Sequence, residues 1–487
     1  MLGRNGVPSS MQTLEDKIFA AKKKGLTDKQ IGELFNVNLR FIEKTITKKL
    51  GINVSRTART KHIKSIFPKK FTPEQTTVWS FKSRGNWATH NGNYRGNWSP
   101  YIPRNIILRY SAEGETVLDC FCGSGATGVE SRLLNRNFTG VDINPHAVEL
   151  TKENMNFPIN GSLTEEITNP KPKPTLVAGD ARQMPFIGSG TVDLICTHPP
   201  YSDIIHYTDN QKEDLSFCNP PDFLREMKKV ADENYRVLKN GGCCAVLIGD
   251  MRKNKSVIPL GFWLIGVYLK SGFSLQELVI KRQHNCKTTG FWYENSIKFN
   301  FLLLAHEYLA IFKKDVKTEP KRFTQNSEDK KFLPTPVEKQ NLESTTVWIF
   351  DNDAWYEKTI GNLITRYDGK KYISITQARQ LKQSNEKYEL IVWDTRNTPA
   401  INLENAEDVT DHLESGGYLS ILCQDMRNED NTLFPSAINI EENLANIRQL
   451  KIKEIIVISI ENGPQIKEKS QNLTIAHKYL LIFQKTA

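Results

Sequence analysis

Residues 117–127 read VLDCFCGSGAT, and the chain continues as GVESRLLN through 135. An apolar run ends in a turn carrying Gly123 and Gly125, and Gly128 sits one helical step further on. This reads as a short buried strand, a tight turn and the start of a helix. Glycines at such a turn let the backbone bend and let a ligand approach main-chain amides. Working outward, FTGVDI, TLVAGD, VDLICT, CCAVLIGD and YLAIFKK read as further strands, with HAVELTKENM helical between them. Strand–helix alternation at this pitch predicts an α/β fold with a largely parallel, doubly wound sheet.

Three carboxylates fall at strand ends. Asp119 precedes the glycine turn, Asp142 ends the next strand and Asp180 ends a third. G-x-G-x-x-G alone also suits a dinucleotide. The acidic residues sharpen the reading: Asp142 is placed to accept ribose hydroxyls, Asp119 to face a cationic group and Asp180 to meet an adenine amino group. A phosphate-rich ligand would instead favour a cationic site. About 75 residues after the turn, VDLICT runs into His198-Pro199-Pro200-Tyr201. Two prolines stiffen this loop and aim carbonyls into the crevice beyond the strand ends. Tyr201 offers a flat face to an extruded base, and chemistry on a base amino group within a duplex requires flipping it out. In isolation the tetrapeptide also fits an ordinary turn.

At these residues the chain resembles the N4-cytosine/N6-adenine DNA methyltransferase family, over residues 76–314. The stretch RGNWSPYIPRNIILRYSAEGETVLDCFCGSGATGVE at 95–130 is similar to that family's tenth motif running into its first. The resemblance implies a Rossmann-like methyltransferase fold and S-adenosylmethionine as cofactor. It places Asp119, Phe121, Gly123, Ser124, Gly125 and Thr127 at the methionine end, Asp142 at the ribose, and Asp180 with Ala181 at the adenine. Pro103 and Arg104 would help close the pocket. His198, Pro199, Pro200 and Tyr201 would hold the target amino group for direct transfer without a covalent enzyme intermediate. Two departures stand out. His198 occupies a position that is usually Asp, Asn or Ser; a neutral imidazole accepts one hydrogen bond, so protonation predicts loss of activity at acid pH. The cofactor motifs also precede the catalytic loop, unlike the commonest order for this tenth motif. Thr197 tilts the motif toward the TSPPY of N4-cytosine enzymes over the DPPY of N6-adenine enzymes. C5-cytosine chemistry is disfavoured, because no Pro-Cys pair occurs.

The net charge of +10 is concentrated. Residues 1–70 carry +11 and the remainder −1, so a basic region precedes a near-neutral body. This suggests a polyanionic partner, duplex DNA above all. Within it, GLTDKQIGELFNVNLRFIEKTITKKLGI has a helix-turn-helix rhythm. Thr27 is placed to cap a helix with Ile31 and Leu34 inward, and Asn36-Val37-Asn38 is the turn. The next helix would turn Phe41, Ile42, Ile46 and Leu50 inward and Arg40, Lys44, Lys48 and Lys49 toward DNA. A structural helical hairpin is the alternative. A second basic-aromatic stretch, KRQHNCKTTGFWYENS at 281–296, offers Lys281, Arg282, Lys287 and Trp292 for phosphate contact and stacking. An ordinary edge of the fold is the other reading.

Five landmarks recur in order. TTVWSF (76–81) returns as TTVWIF (345–350), IPRNIILRY (102–110) as IGNLITRY (360–367), and VDLICTHPP (192–200) as YELIVWDTR (388–396). GGCCAVLIGDMR (241–252) returns as GGYLSILCQDMR (416–427), and AHEYLAIFKK (305–314) as AHKYLLIFQK (476–485). Between the second and third landmarks the first copy has 81 residues and the second 20, so the second lacks the glycine turn. His-Pro-Pro has become Asp394-Thr395-Arg396. The expected organisation is a helix-turn-helix region (1–70), a catalytic domain (71–314), a linker (315–343) and a degenerate, inactive methyltransferase-like copy (344–487). The two copies are expected to pack as an internal pseudo-dimer, with an independent appended domain as the alternative.

The eight cysteines form no CxxC pair, so no metal site is expected, and they read as buried reduced thiols. No run of 18 apolar residues and no apolar leader is present, which predicts a cytoplasmic, nucleoid-associated protein without a membrane partner. Three functions remain open: a DNA methyltransferase, with or without a restriction or defence partner; an RNA amino-methyltransferase; and a non-catalytic DNA-binding regulator with a vestigial methyltransferase body.

Overall fold

Apolar runs that are long enough to cross a sheet, alternating with amphipathic helices, build two sheets that share one core. The computed structural model describes residues 13–24, 26, 28–37, 41–42, 45, 63–157, 174–202, 206–208, 213–284, 289–315, 335–351, 354–382, 384–398, 401–461 and 472–486. The helices are α1 (Leu14–Lys23), α2 (Asp28–Phe35), α3 (Tyr101–Tyr110), α4 (Ala126–Leu133), α5 (Pro145–Met155), α6 (Pro220–Val237), α7 (Leu260–Lys270), α8 (Thr289–Lys298), α9 (Trp355–Arg366), α10 (Leu403–Asp411) and α11 (Ser436–Leu444).

The first sheet contains β1 (Val78–Ser80), β2 (Thr116–Asp119), β3 (Asn137–Asp142), β4 (Thr175–Ala178), β5 (Val192–Thr197), β6 (Leu238–Ile248), β9 (Ser274–Arg282) and β10 (His306–Lys313). A hairpin of β7 (Met251–Lys253) and β8 (Ser256–Ile258) stands beside it. The strand order is β1-β9-β10-β6-β5-β2-β3-β4, with β10 antiparallel to both neighbours and the other pairs parallel. Both faces are covered, which is why its strands are apolar throughout rather than alternating. Cys243 and Cys244 point to opposite faces, into different apolar clusters.

The second sheet contains β11 (Val347–Phe350), β12 (Tyr372–Ile375), β13 (Tyr388–Asp394), β14 (Leu413–Cys423), β17 (Leu450–Ile460) and β18 (His477–Lys485), with a small hairpin of β15 (Met426–Arg427) and β16 (Leu433–Phe434). Its order is β11-β17-β18-β14-β13-β12, again with one antiparallel strand, β18. The registers match as well. Val78 pairs with Ile280, and Val347 with Val457; Val192 pairs with Leu238, and Tyr388 with Leu413. Small polar devices recur: Asn105 Oδ1 accepts from Glu74 N at 2.8 Å, and Asn362 Oδ1 from Glu343 N at 2.9 Å. Among the described residues of the second half, nothing corresponds to β3, β4 and the glycine turn.

The halves meet through reciprocal contacts. Thr77 Oγ1 lies 2.7 Å from His477 Nδ1, and Thr346 Oγ1 lies 2.9 Å from His306 Nδ1. Arg252 bonds Glu454 through both terminal nitrogens, Nη1 at 3.0 Å, while Arg427 Nη2 bonds Glu277 at 2.5 Å. Thr77 N donates to Thr474 O at 3.0 Å, and Thr346 N to Leu303 O at 2.9 Å. When residue i touches j′ and j touches i′, the two surfaces are related by an approximate two-fold. One apolar cluster, including Ile195, Phe262, Ile421 and Tyr479, runs through both halves.

At the N-terminus α1 and α2 pack through Ile18, Ala21, Ile31 and Ile42. Ile31 is buried as expected, but Leu34 is 62% exposed and Phe41 also faces outward. The reason is α1, whose apolar stripe takes Ile31 and Phe35 as partners and leaves Leu34 on the far side. Asn36 turns the chain with a φ of 50°. Thr27, Arg40, Lys44, Ile46, Lys48, Lys49 and Leu50 lie outside the described residues. No helix among the described residues is long and apolar enough to cross a membrane.

Candidate active site

The site lies beyond the carboxyl ends of β2, β3, β4 and β5, where the order departs in opposite directions from β2, the usual crevice of such sheets. Gly125 caps α4 with a φ of 81°, and a Cβ there would stand 2.7 Å from Thr151 Cγ2 on α5. No other residue fits this turn as it is built. The amide of Gly123 donates to Asp142 Oδ2 at 2.8 Å and that of Asn144 to Oδ1 at 2.9 Å, fixing the carboxylate at the end of β3. Asp119 accepts from Thr127 Oγ1 at 2.6 Å, Thr197 Oγ1 at 2.8 Å and Phe121 N at 3.1 Å. Burial pushes both carboxyls up to about 6, against these hydrogen bonds. A cationic ligand beside them would restore their charge.

Two cavities meet here. The first, about 710 Å³, is lined by Asp119, Phe121, Gly123, Ser124, Asp142, Asp180, Ala181, His198 and Pro200, together with Tyr94, Trp98, Tyr207 and Asp214. The carboxylates match a ligand with ribose hydroxyls and positive charge, so the residues present fit S-adenosylmethionine. The second cavity, about 1140 Å³, is lined by Phe81, Lys82, Arg84, Pro199, Tyr201, Lys281, Arg282, His284 and Glu307. Gly96, Asn97, Trp98, His198 and Tyr207 line both.

His198 sits at this junction with its ring stacked on Trp98, centroids 5.5 Å apart. Its Nε2 lies 2.9 Å from Tyr201 Oη, which donates to Glu307 Oε1 at 2.7 Å; Lys281 Nζ donates to Glu307 Oε2 at 2.6 Å. Burial holds the imidazole down at about 4, aided by the charges of Lys281 and Arg84 and opposed by Glu307. The ring is therefore neutral at physiological pH. Glu307 is driven down to about 2: burial works against its charge, and Lys281, His198 and the Tyr201 phenol outweigh it. Arg84 clamps the carbonyls of Asn97 and Trp98 at 2.6 and 2.7 Å, which holds the stacking ring in place. Gly96 has a φ of 77° and a Cβ on it would fall 2.0 Å from Tyr207 Oη, so this wall closes only around glycine.

Most expected site residues thus converge. Asp180 lines the cavity but spends its carboxylate on Arg182, at 2.7 Å to Nη2. Thr127 and Gly125 act behind the cavity, shaping Asp119 and the turn. Pro103 and Arg104 do not line it. Arg104 is buried in an ion pair with Glu130 at 2.8 Å, a carboxylate that also binds Trp87 and His90. The pocket wall expected of them falls to Asn97 and Trp98, on the turn before α3. Tyr201 uses its hydroxyl on His198 and Glu307. Thr197 spends its hydroxyl on Asp119. Lys281 and Arg282 line the second cavity. Lys287 lies outside the described residues, and of Trp292 only the helical backbone is described. Trp98, Glu307, Tyr94, Tyr207 and Asp214 were not singled out in the sequence; the signal for Trp98 was its place in RGNWSP, just ahead of the glycine turn, and for Glu307 the recurring AH-x-Y motif. Among the described residues no cluster could hold a metal ion.

The profile of the DNA methylase family of N6/N4 methyltransferases matches residues 12–153 and 192–399, and that of a family described as conserved hypothetical protein 95 matches 105–231. The Type II methyltransferase M.BglI of Bacillus subtilis is 32% identical over 90 residues, 18% of this chain and 25% of that one. M.HpaI of Haemophilus parainfluenzae is 34% identical over 87 residues, again 18% of this chain and 27% of that one. The chain thus spans about a quarter of the length of these curated relatives. A SAM-dependent methyltransferase structure from Methanosarcina mazei aligns with a TM-score of 0.30 and 16% identity over 44% of this chain and 98% of that one. With the family profile covering more than half of its length, the chain belongs to the N6/N4 DNA methylase family, whose cofactor, S-adenosylmethionine, fits the acid-lined cavity.

Proposed function

We propose that this protein methylates DNA on the exocyclic amino group of a flipped cytosine or adenine. One observation carries the reading: the acid-lined cofactor cavity and the larger, basic-rimmed cavity share His198 and Trp98. When bound, S-adenosylmethionine supplies an electrophilic methyl group on a positively charged sulfur. Asp119 and Asp142 set the charge and orientation at its site. His198, neutral and stacked on Trp98, accepts an N–H of the target amino group, and the Pro199 carbonyl accepts the other. Both bonds favour a pyramidal nitrogen whose lone pair faces the methyl. His198 would take the surplus proton of the methylated nitrogen on its way to solvent. Glu307 only accepts, so the Tyr201 proton points to it and the phenol oxygen receives Nε2–H.

The matched registers and reciprocal contacts support a duplication in which residues 344–487 form an internal pseudo-dimer with the catalytic half. The absence of a glycine turn and of Pro-Pro-Tyr supports their being inactive in transfer. The basic residues of 1–70 support a DNA-holding role for the N-terminal helices. The test is mass spectrometry of nucleosides from duplex DNA incubated with the protein and methyl-labelled cofactor. Label in N4-methylcytosine or N6-methyladenine is expected and identifies the base. Label confined to structured RNA in a parallel reaction would replace the substrate, and failure to bind cofactor would leave a non-catalytic regulator.

A further inference from the structure

The rim of the second sheet carries a cluster that the transfer reaction does not use. Matched registers make Arg396 the counterpart of Pro200 and Lys478 that of Glu307, and the recurring Asn105 and Asn362 contacts, each seven residues on, make Trp355 that of Trp98. The retained tryptophan again serves as a platform. The Arg396 guanidinium lies 4.9 Å from the Trp355 ring centroid and 5.4 Å from that of Tyr356, and the Lys478 ammonium lies 4.8 Å from Trp355. Asp394 holds Arg396 through Nε at 2.9 Å and Nη2 at 2.5 Å, leaving Nη1 uncommitted to it. Among the described residues Lys478 has no carboxylate partner.

Two half-buried cations therefore share one aromatic face and one carboxylate. Like charges brought together in a partly dried place repel. Burial, then the Arg396 charge, holds the Lys478 ammonium below the usual lysine range. The corresponding position in the other half carries a carboxylate, Glu307. An anion bridging Arg396 Nη1 and Lys478 Nζ would turn the repulsion into attraction. The Arg396 side chain is 30% exposed, so that edge is reachable. We propose that Arg396 and Lys478, set on Trp355, form a phosphodiester-binding site for the DNA backbone, at the place that the approximate two-fold relates to the transfer site. The inference rests on the DNA-methylating reading of the first rim. It adds that the second half was remade from a reacting site into a holding site.

The test uses the full chain and a duplex of about 30 base pairs, with binding followed by fluorescence anisotropy across a salt series. Lys478→Gln removes the charge alone, and Lys478→Glu installs the residue of the other half. Loss of one phosphate contact weakens binding evenly across sequences and lowers the salt slope by about one. The expected result for Lys478→Gln is about a fivefold loss of affinity at about 0.1 M salt, with a larger loss for Lys478→Glu. S-adenosylmethionine affinity, melting temperature and kcat at saturating DNA should stay unchanged. Wild-type affinity and slope in Lys478→Gln overturn the proposal. So does a loss matched by a lower melting temperature, which marks a structural lysine. If inorganic phosphate competes as well as DNA does, phosphate for phosphate, the site takes small anions and the DNA assignment falls. If wild type binds DNA and Lys478→Gln weakens it while no methyl transfer occurs, the holding site stands and the catalytic reading fails.

Discussion

The ends of β5 and β13 occupy the same place in two sheets, and they are equipped in opposite ways. At the first, Trp98 backs a neutral histidine, a carboxylate stands behind it through Tyr201, and two cavities stay open on either side. At the second, Trp355 backs two cations, and a guanidinium lies where a proline stood. Both halves keep what holds a sheet together: strand order, register, the antiparallel strand and the contacts that join them. The difference shows that scaffold and chemistry separate cleanly in this fold. On the proposed reading, packing constrains interface and core residues in both halves, while rim residues are free to differ once one rim alone reacts.

The largest expected effect is at the rim proposed to react. His198→Ala removes the acceptor at the junction of the cavities. Transfer should fall about a thousandfold, within the range for losing a positioned acid–base group. Cofactor affinity by calorimetry should change by no more than about twofold, because the acidic residues carry that cavity. Equal losses of binding and turnover would mean that His198 belongs to the cofactor cavity only. Next comes the joint between the halves. Glu454→Ala strands Arg252 beneath the interface, and truncating one member of a buried pair costs about 3 kcal/mol or more. Glu277→Ala strands Arg427 in the related place and should cost a similar amount in urea denaturation. A large cost on one side alone would break the approximate two-fold as an energetic statement. Glu307→Gln should be milder. Its amide can donate to the Tyr201 oxygen and reverse the polarity of the chain to His198, lowering kcat about tenfold with the KM for cofactor unchanged. A shift in the ¹⁵N resonances of the His198 ring would separate this reorientation from a general loosening of the site.

Much of this organisation was legible in the chain. The glycine turn, the strand-end carboxylates and His-Pro-Pro-Tyr converge on one crevice because each is a local signal fixed to the end of an apolar run. The five recurring landmarks likewise foretold the matched order of the strands. What was not legible depended on partners distant in sequence. Arg104 looked like a pocket residue until Glu130, Trp87 and His90 gathered around it. Leu34 looked inward because the docking of α1 fixes which face of α2 is covered. Glu307 is separated from Tyr201 by 106 positions, and no spacing rule brings them to 2.7 Å.

The smallest effect concerns pH, and it decides which group limits the reaction in acid. Protonation of His198 was the expected cause of acid inactivation, but burial holds that ring at about 4, so it stays an acceptor well below neutrality. The carboxyls of Asp119 and Asp142, at about 6, take up protons first. Their ionised forms bind a cationic cofactor and its ribose hydroxyls, so binding favours loss of those protons. Affinity should hold steady from about pH 8 to about pH 6, then fall up to about tenfold per pH unit for each carboxyl. Turnover at saturating cofactor should stay level to about pH 5, because bound cofactor keeps the carboxyls ionised while His198 remains neutral. The KM for S-adenosylmethionine therefore rises in acid before kcat falls. Asp142→Asn should bind more weakly throughout and lose part of the pH dependence. A kcat that falls at about pH 6 while KM stays flat would return the titration to His198, and would show that its side of the junction is wetter than its stacking on Trp98 implies.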